Sequence, residues 1–287
     1  MSDPKVILIT GCSSGFGLLT AARLASKGHH VVATMRNPDK SGALFQEVRT
    51  RGGNVDILPL DVTDKASVAR AVKDIAAKYG YIDVVVNNAG YGIGGFFEDL
   101  TDGEIRQQFE TNFFGVQNVI REVIPCMRQK KSGKIINISS AAGLSASPCF
   151  GAYNASKWAL EGFSESLRAE LKFWGIDVLL VEPGTYKTKI FYENARYAEN
   201  FNNPVSPYYP ISQFLERRVK DSVDDCFKDP EDIAILIEKL IDAKNPPFRN
   251  IPDIETQVMY ALRKILPFRL YSWLIRKVLF SGFQWPV

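Results

Sequence analysis

Short runs of β-branched and aliphatic residues alternate with amphipathic stretches along the chain, and this alternation limits the folds that it can adopt. The apolar runs are KVILIT (5–10), HVVATM (30–35), NVDILPL (54–60), IDVVVN (82–87), KIINIS (134–139) and IDVLLVEP (176–183). Between them, stretches such as LLTAARLASKG (18–28) and ASVARAVKDIAAKYG (66–80) carry apolar residues at helical spacing. Strands that are apolar on both faces and separated by helices form parallel sheets through right-handed crossovers. The pattern predicts an α/β fold with a doubly wound parallel sheet and helices on both faces.

Composition excludes several classes of protein. The 287 residues include 46% hydrophobic and 23% charged residues, enough for a sizeable core in one domain. The net charge of +3 gives no reason to expect a nucleic-acid partner. The four cysteines lack metal-type spacing, so we predict free thiols and no metal site. With no signal-peptide pattern and no apolar run near the ~18–20 residues that span a bilayer, a soluble cytoplasmic protein is expected.

The texture of the sequence changes after about residue 185. Aromatic residues without clean periodicity follow, namely Tyr186, Phe191, Tyr192, Tyr197, Phe201, Tyr208, Tyr209, Phe214 and Phe227. A helix is predicted over 231–243, an edge strand at PFRNIPD, and two further helices that are broken at Pro267. We therefore assign residues 1–253 to the sheet domain, with a loop and helices over 186–229 as its substrate-binding segment. Residues 254–287 form an amphipathic helical extension packed on or near the substrate site.

A glycine-rich turn, TGCSSGFG (10–17), follows the first strand and opens the first helix. Glycines in such a turn permit tight backbone, close approach of a pyrophosphate and close packing of helix on strand. The helix N-terminus supplies N–H groups and a positive dipole end. A turn that binds nothing is the alternative, but the position after the first strand favours a dinucleotide. The predicted contacts in this turn are Gly11, Ser13, Ser14, Gly15, Phe16 and Gly17.

The end of the second strand distinguishes the two nicotinamide cofactors. An acidic residue there would bind the adenosine ribose 2′-hydroxyl, whereas an arginine accommodates a 2′-phosphate. The strand ends in Met35 and Arg36, with no carboxylate. A guanidinium pairs with phosphate through two hydrogen bonds. We therefore predict NADP(H) rather than NAD(H), although Arg36 could also be an ordinary surface charge.

Seven motifs occur in order between residue 5 and about residue 190. They are TGCSSGFG, LDVTD (60–64), NNAG (87–90), TNFFG with Asn112, NISS (137–140), YNASK (153–157) and EPG (182–184). Together they resemble the short-chain dehydrogenase/reductase family. This resemblance implies a Rossmann-type fold with a seven-stranded sheet, a nicotinamide cofactor, and a catalytic tetrad of Asn112, Ser140, Tyr153 and Lys157. Ser140 is preferred to Ser139 because the family's serine commonly lies thirteen positions before the tyrosine.

The chemistry of carbonyl reduction agrees with that tetrad. Reduction needs a hydride on carbon and a proton on oxygen, and oxidation reverses both. Tyr153 and Lys157 stand at i and i+4, on one face of a helix. We expect the ammonium to lower the pKa of a phenol that is otherwise near ~10, and to reach the nicotinamide ribose. An isolated pair at this spacing would be an ordinary helix-surface pair, but the other motifs favour catalysis.

The two remaining members of the tetrad act on the substrate oxygen and on proton supply. Ser140 would hydrogen-bond the substrate oxygen and stabilise the charge that develops there. Asn112 would hold a water molecule that links Lys157 to bulk solvent.

Further cofactor contacts are expected from residues outside the tetrad and the glycine turn. The set is Arg36, Asp61, Val62, Asn88, Ala89, Gly90, Pro183, Gly184 and Thr188, together with Tyr153 and Lys157 themselves. Asp61 would bind the adenine amino group or instead cap the helix that begins near Asp64. Thr188 would contact the nicotinamide carboxamide. Tyr186 departs from the aliphatic residue usual in the family, and His29 with His30 is predicted to be a surface pair.

The aromatic residues of 186–229, with Phe96 and Phe97 opposite, favour a hydrophobic small-molecule substrate over a sugar. They could equally form the segment's own packing core. ATMRN and the extended C-terminus resemble the steroid and retinol dehydrogenase branch of the family. The resemblance also implies a homodimer or homotetramer.

The extension combines apolar residues and Trp273 with arginines and lysines. It could lie at a membrane interface, pack on its own domain, cap the site or form a dimer contact.

Three functions remain open at the level of sequence. The first is an NADP(H)-dependent oxidoreductase that transfers a hydride between nicotinamide and a hydrophobic secondary alcohol, ketone or aldehyde, with Tyr153 as general acid/base. The second is an NADP(H)-binding sensor on the same fold without turnover. The third is isomerase, epimerase or dehalogenase chemistry. Presence of both Tyr153 and Lys157 favours the first, because a sensor needs neither.

Overall fold

Seven parallel strands form the central sheet in a computed structural model that describes residues 3–188 and 195–284. Phe191 and Tyr192 of the predicted substrate segment lie outside the described residues. The strands, in chain order, are β1 (Val6–Thr10), β2 (His30–Met35), β3 (Val55–Pro59), β4 (Val84–Asn87), β5 (Ile93–Gly94), β6 (Gly133–Ile138), β7 (Ile176–Val181), β8 (Arg196–Tyr197) and β9 (Arg249–Asn250). The large sheet has the order β3-β2-β1-β4-β6-β7-β9. The predicted doubly wound, seven-stranded parallel sheet is confirmed.

Helices cover both faces of this sheet. In the described residues the α-helices are α1 (Gly15–Ser26), α2 (Gly42–Thr50), α3 (Lys65–Tyr79), α4 (Asp102–Phe109), α5 (Gly115–Lys130), α6 (Gly151–Lys172), α7 (Tyr209–Asp224), α8 (Glu231–Asp242), α9 (Ile254–Ile265) and α10 (Phe268–Leu279). Short 3-10 turns at Pro38–Ser41, Phe97–Asp99 and Ala141–Gly143 connect them. A π-helical turn, Glu110–Phe114, joins α4 to α5.

The hydrophobic core lies in two layers, one on each face of the sheet. Ile7 and Ile9 of β1 pack in one layer, with residues of α1, α2 and α8. Val6 and Leu8 pack in the other layer, with residues of α3, α5 and α6. Successive side chains of a strand point to opposite faces, so burial of all four explains why this run shows no polar alternation.

The chain changes direction across the sheet between β1 and β4. From β1 the strands proceed to β2 and β3 on one side, and from β4 they proceed to β6, β7 and β9 on the other. Open α/β sheets bind ligands at the carboxyl ends of the strands at such a switch point. The segments that follow β1, β2, β3, β4, β6 and β7 all meet at this edge, and they contain the predicted motifs.

The aromatic segment contains α7, for which the sequence predicted helix without bounds. It also contains β8, which forms an unpredicted two-stranded parallel sheet with β5 that pairs Ile93 with Arg196 and Gly94 with Tyr197. Phe201 is buried in a small cluster with Leu215 and half-buried aromatic residues. The aromatic residues here therefore serve in part as the segment's own core.

The C-terminal helices end where the sequence predicted. α9 stops at Ile265 and α10 begins at Phe268, so Pro267 separates them. Among residues 3–188 and 195–284 no helix is long and apolar enough to cross a membrane.

The histidine prediction was wrong for one residue of the pair. His29 is buried because its Nδ1 accepts a hydrogen bond from Lys5 N at 3.2 Å. His30 is exposed beside Tyr79.

Candidate active site

The glycine turn after β1 is held against the segment that follows β4. Asn88 Nδ2 donates to the carbonyl oxygens of Thr10 at 2.9 Å and Gly11 at 3.0 Å. A Cβ atom on Gly11 would lie 2.8 Å from Ala89 Cα, and one on Gly17 would lie 2.4 Å from Asn88 Nδ2. Both positions thus require glycine for packing between chain segments.

Gly15 has a more open environment than Gly11 and Gly17, and the space beside it shows whether a dinucleotide fits. Its φ angle is +59°, and the nearest described atom to a Cβ added at this position is Thr188 Cβ at 3.9 Å. The space beside its backbone is therefore open at the first residue of α1. Ser14 precedes it with extended backbone, and Ser13 is half-buried beside the same turn. An open glycine cradle at a helix N-terminus fits a pyrophosphate.

Phe16 packs into the protein rather than standing free beside this cradle. Its ring is 5.5 Å from that of Tyr186, edge to face, and it lies against the core layer that contains α1. Tyr186 is buried, and Lys228 Nζ is 5.1 Å from its ring centroid. Burial raises the pKa of Tyr186 above its ordinary value. A neutral packing role follows for Tyr186, and Phe16 can contribute its backbone to the cradle.

Residues predicted for the adenosine end follow β2 and β3. Arg36 is exposed directly after β2. Asp61 Oδ1 accepts from Thr63 N at 2.9 Å and Thr63 Oγ1 at 2.8 Å, which closes a turn before α3. Val62 is buried, and a Cβ on Gly115 would lie 2.6 Å from its Cγ2. Both Asp61 and Val62 therefore have structural contacts here, and their contacts with adenine stay predictions.

The predicted acid/base residues meet between α6 and the end of β6. The Ser140 side chain lies beside the Tyr153 hydroxyl, whose pKa it lowers, and Ser140 Oγ accepts from Ala142 N at 3.1 Å. Lys157 Nζ donates to Ile138 O at 2.8 Å and lies 5.9 Å from the Tyr153 ring centroid. The structure thus brings Ser140, Tyr153 and Lys157 together.

The electrostatics of this group differ from the expectation. Burial raises the pKa of Tyr153 above its ordinary value of 10.0, and the neighbouring Ser140 side chain opposes the rise. Burial likewise lowers the pKa of Lys157 to about 8, against the opposing charge of Glu161. Desolvation disfavours the charged form of each group. The pKa of the phenol is therefore raised rather than lowered, and the stabilisation of a phenolate by Lys157 stays a prediction.

A buried ion network continues from Lys157 along α6. Glu161, one turn further, pairs with Arg249, and Arg249 Nη1 also contacts Glu182 Oε1 at 2.6 Å. Glu182 Oε2 accepts from Asn250 N at 3.0 Å. Burial and the neighbouring Glu161 charge raise the pKa of Glu182 to about 7. The network joins α6, the EPG segment and β9.

Asn112 is positioned by the π-helical turn. Its Nδ2 donates to Tyr91 O at 2.9 Å and to Ser156 Oγ at 3.2 Å, while its Oδ1 accepts from Tyr91 N at 3.1 Å. A Cβ on Gly90 would approach this Oδ1 at 3.1 Å. Asn112 therefore fixes the segment after NNAG against α6. π-turns of this kind are frequent at functional sites. Its water-holding role stays a prediction.

The EPG segment is anchored by a residue that sequence reasoning missed. Pro183 O accepts from Ala141 N at 2.9 Å, which ties the segment to the loop after Ser140. Gly184 N donates to Asp253 Oδ2 at 2.8 Å, and a Cβ on Gly184 would lie 2.5 Å from Thr256 Oγ1. Asp253 also caps α9 by accepting from Thr256 N at 3.1 Å. An aspartate just before an amphipathic run was the available signal.

The segment that follows NNAG passes the Tyr153 ring and leads to aromatic residues. A Cβ on Gly92 would lie 3.5 Å from Tyr153 Cδ2, so the backbone of this segment lies against the ring. Phe96 stacks on Tyr208 at 4.7 Å, whereas Phe97 is exposed. The hydroxyls of Ser145 and Tyr271 are hydrogen-bonded, which brings α10 to the same side.

Comparisons with known proteins agree with this architecture. A sequence model described as short chain dehydrogenase matches residues 5–198. The chain is 39% identical to 3-ketodihydrosphingosine reductase of Bacteroides thetaiotaomicron, over 96% of this chain and 97% of that protein. It is 34% identical to retinol dehydrogenase 8 of Bos taurus, over 100% of this chain and 93% of the relative.

Crystal structures give the same result. A short-chain dehydrogenase/reductase from Burkholderia phymatum in complex with NAD superposes with a TM-score of 0.80 at 27% identity, covering 91% of this chain and 93% of the other. A metagenomic short-chain oxidoreductase in complex with NADP gives a TM-score of 0.67 at 27% identity, covering 87% and 98%. Nicotinamide cofactors are thus common to these neighbours. The motif order, the switch-point sheet and these matches together show that the chain belongs to the short-chain dehydrogenase family of oxidoreductases.

Proposed function

We propose that this chain is an NADP(H)-dependent oxidoreductase acting on a hydrophobic secondary alcohol, ketone or aldehyde, with Tyr153 as general acid/base. The observation that carries the proposal is that the Tyr153 and Ser140 side chains meet one helical turn from the buried Lys157, whose Nζ donates to Ile138 O at the end of β6. Both hydroxyls stand where the carboxyl end of β6 meets α6, at the edge of the sheet that contains the glycine cradle.

The raised pKa of Tyr153 determines what its phenol can do at neutral pH. A neutral phenol holds the proton that a reduced carbonyl oxygen must receive, so Tyr153 acts as the acid in reduction. A bound nicotinamide supplies or accepts the hydride. Ser140 would donate to the same oxygen, because its side chain lies beside the Tyr153 hydroxyl. General acid–base transfer contributes about 10²–10⁴-fold to rate.

Lys157 and Asn112 support this proton transfer without contacting the substrate oxygen. The ammonium of Lys157 is buried, with a pKa of about 8, so it is poised between charged and neutral forms near physiological pH. It stabilises the phenolate that remains after Tyr153 gives up its proton. Asn112 holds the Tyr91 backbone against α6 and thereby fixes the wall beside Tyr153.

Arg36 supports the assignment of NADP(H). It is an exposed cation directly after β2, where the chain offers no carboxylate in Met35 or Asn37. A 2′-phosphate would gain a guanidinium partner there, whereas a ribose hydroxyl would find no acceptor of the usual kind. Structural neighbours include complexes with NADP and with NAD.

An aromatic cluster beside β5 and β8 supports a hydrophobic substrate, because β5 directly follows Gly92, which lies against Tyr153. Phe96, Tyr197 and Phe214 line one small apolar cluster with Phe201. Two relatives are named for 3-ketodihydrosphingosine and retinol, which are an aliphatic-chain ketone and an apolar alcohol. We extend the same class to this chain, with residues 254–287 as an extension of the 1–253 domain beside the substrate. We also propose a homodimer or homotetramer that pairs through the helices next to Asn112 and Tyr153.

Tyr153→Phe tests the proposal. Ketone-dependent oxidation of NADPH, followed by nicotinamide absorbance, should fall by about 10²-fold or more, because the proton donor is lost while packing is kept. NADPH binding, followed by fluorescence, should persist. Tyr79→Phe is the matched control, since Tyr79 bonds Asp56 near the opposite end of the strands. It should leave turnover unchanged.

Two results would contradict the proposal. Retained turnover in Tyr153→Phe would remove the residue from the mechanism. Tight NADPH binding by the wild-type chain, with no turnover across a panel of apolar ketones, alcohols and aldehydes, would favour the sensor.

A further inference from the structure

Exposed large apolar side chains concentrate on the two C-terminal helices. The set, called the tail face below, is Ile254, Val258, Ile265, Phe268, Leu270, Trp273 and Val278. Ile265 is 77% exposed, Phe268 67% and Trp273 49%. A surface patch of this size on a short segment indicates an interaction site.

The tail face is fixed in place. On α9, Ile254, Val258 and Ile265 fall on one side of the helix by their spacing. α9 is held to the domain through its N-cap Asp253, whose Oδ2 accepts from Gly184 N at 2.8 Å, and Tyr271 of α10 is hydrogen-bonded to Ser145. Arg218 Nη2 also donates to Val278 O at 2.9 Å. The exposed apolar side chains therefore belong to helices that are attached to the rest of the protein.

Cations surround these apolar residues. Between residues 254 and 284 the chain has five basic residues, Arg263, Lys264, Arg269, Arg276 and Lys277, and one acidic residue, Glu255. Lys277 Nζ lies 4.7 Å from the Trp273 ring centroid, and Arg263 Cζ lies 4.9 Å from that of Phe268. Basic and aromatic residues are thus interleaved on one surface.

We propose that the tail face docks on a bilayer surface that contains anionic lipids. Its apolar and aromatic side chains would enter the interface, while the basic side chains would pair with lipid phosphates. A second copy of the chain fits the charge less well. A two-fold contact through the same patch would bring five cations against five cations, with only Glu255 to offset them.

Docking in this way would orient the candidate site. Phe283, just beyond α10, packs 5.1 Å from Phe214, and Phe280 lies against the apolar cluster that contains Phe201. The tail therefore joins the membrane-facing surface to the apolar cluster that contains Phe201 and Leu215. The inference concerns a surface and goes beyond the proposed reaction, because membrane binding is measured without turnover.

Vesicle sedimentation of the full chain tests this proposal. Vesicles of phosphatidylcholine with about 30% phosphatidylglycerol should bind the protein, and pure phosphatidylcholine should bind it at least about tenfold less. Raising the salt to about 0.5 M should release it. Ile265→Ser with Trp273→Ser, and separately Arg276→Glu with Lys277→Glu, should each weaken binding by about tenfold or more.

Control variants on other surfaces distinguish binding through the tail face from non-specific binding to vesicles. Phe173→Ser removes a side chain that is 92% exposed at the end of α6, and Arg70→Glu with Lys73→Glu makes the same charge change on α3. Neither should alter binding. Equal loss in the control variants, or no binding to the anionic vesicles, would overturn the proposal. A lower solution mass for the Ile265→Ser, Trp273→Ser protein than for the wild type, measured without vesicles, would also overturn the proposal. It would show that a second copy of the chain covers the tail face of the wild type.

Discussion

Tyr153 and Lys157 show at the scale of single residues how burial governs the candidate site. One group is an acid and the other a base, yet the same desolvation raises the pKa of the phenol and lowers that of the ammonium. Both shifts favour the uncharged forms. The Tyr153 hydroxyl therefore keeps its proton at neutral pH, and the Lys157 charge responds to small changes around it. Spacing in the sequence predicted their proximity but not the direction of the phenol shift, which depends on burial.

Arg36→Asp should reverse cofactor preference. The substitution removes the cation that would pair with a 2′-phosphate and supplies a carboxylate for a 2′-hydroxyl. We expect kcat/KM with NADPH to fall by about tenfold or more and the ratio of NADH to NADPH use to rise. Steady-state kinetics with both cofactors measures this.

Arg49→Asp is the matched control for that substitution. Arg49 is an exposed arginine on α2, and its replacement changes the net charge by the same amount. It should leave the cofactor ratio unchanged. An unchanged ratio in Arg36→Asp would remove Arg36 from the cofactor site.

At the scale of elements, β1, β2, β3, β4, β6 and β7 were predictable to within two residues at each end, because most of their residues are buried. The segment predicted for β9 extends three residues beyond its end. Long apolar runs of this kind, between glycine turns and amphipathic helices, are typical of buried strands. Helices were predicted within 186–229, but the bounds of α7 and the β5–β8 pair were not, because their aromatic residues follow neither helical nor strand periodicity. The short β5–β8 pair also depends on residues about a hundred positions apart. Local pattern gives no signal for such a contact.

The stability of the fold should depend on pH through Lys157 of α6. Its pKa is lowered from 10.5 to about 8. Between those values only the unfolded chain carries the proton, so raising the pH through this window stabilises the folded state. The gain is at most about 3 kcal/mol. Denaturant unfolding from pH ~8 to ~10 should show it in the wild type, and Lys157→Met should lack it.

Two glutamates on α6 provide a test variant and a control variant for that pH dependence. Glu161 raises the pKa of Lys157, so Glu161→Gln should move the lower edge of the window to lower pH. Glu165 is exposed and contacts Arg249 at 3.7 Å, and Glu165→Gln should leave the window in place. Identical pH profiles for wild type and Lys157→Met would show that the ammonium is not desolvated.

For the whole molecule, Asp253 connects the C-terminal helices to the cofactor side of the sheet. It bonds Gly184 N and Thr256 and pairs with Lys228 at 3.3 Å. Asp253→Ala should therefore lower the free energy of unfolding by about 1–3 kcal/mol and weaken NADPH binding together. Chemical denaturation and an NADPH titration measure the two effects.

Asp64→Ala is the comparison for a cap alone. Asp64 caps α3 by accepting from Ala66 N at 2.9 Å, away from the EPG segment. It should cost about 1 kcal/mol and leave NADPH affinity unchanged. If Asp253→Ala lost stability but kept full NADPH affinity, the connection to the cofactor site would be refuted.

Motifs made most of the candidate site predictable, and long-range contacts account for the remainder. Gly15, Ser140 and Tyr153 stand in recognisable local patterns. Asp253 with Gly184, and Arg249 with Glu161, join residues about 70 to 90 positions apart. Charged side chains in those positions look like ordinary surface residues in the sequence, because only the folded chain buries them.

The π-helical turn at Glu110–Phe114 makes the position of Asn112 sensitive to deletions in the chain. Such a turn holds one residue more than a regular helix, and each residue of a helix advances by about 100°. Deleting one residue before Asn112 would restore regular winding and swing the amide away from Tyr91, although every side chain of the tetrad would still be encoded. The position of the Asn112 amide thus depends on the number of residues in its helix as well as on the residue itself. A one-residue deletion would displace this amide while the four residues of the tetrad stay present in the sequence.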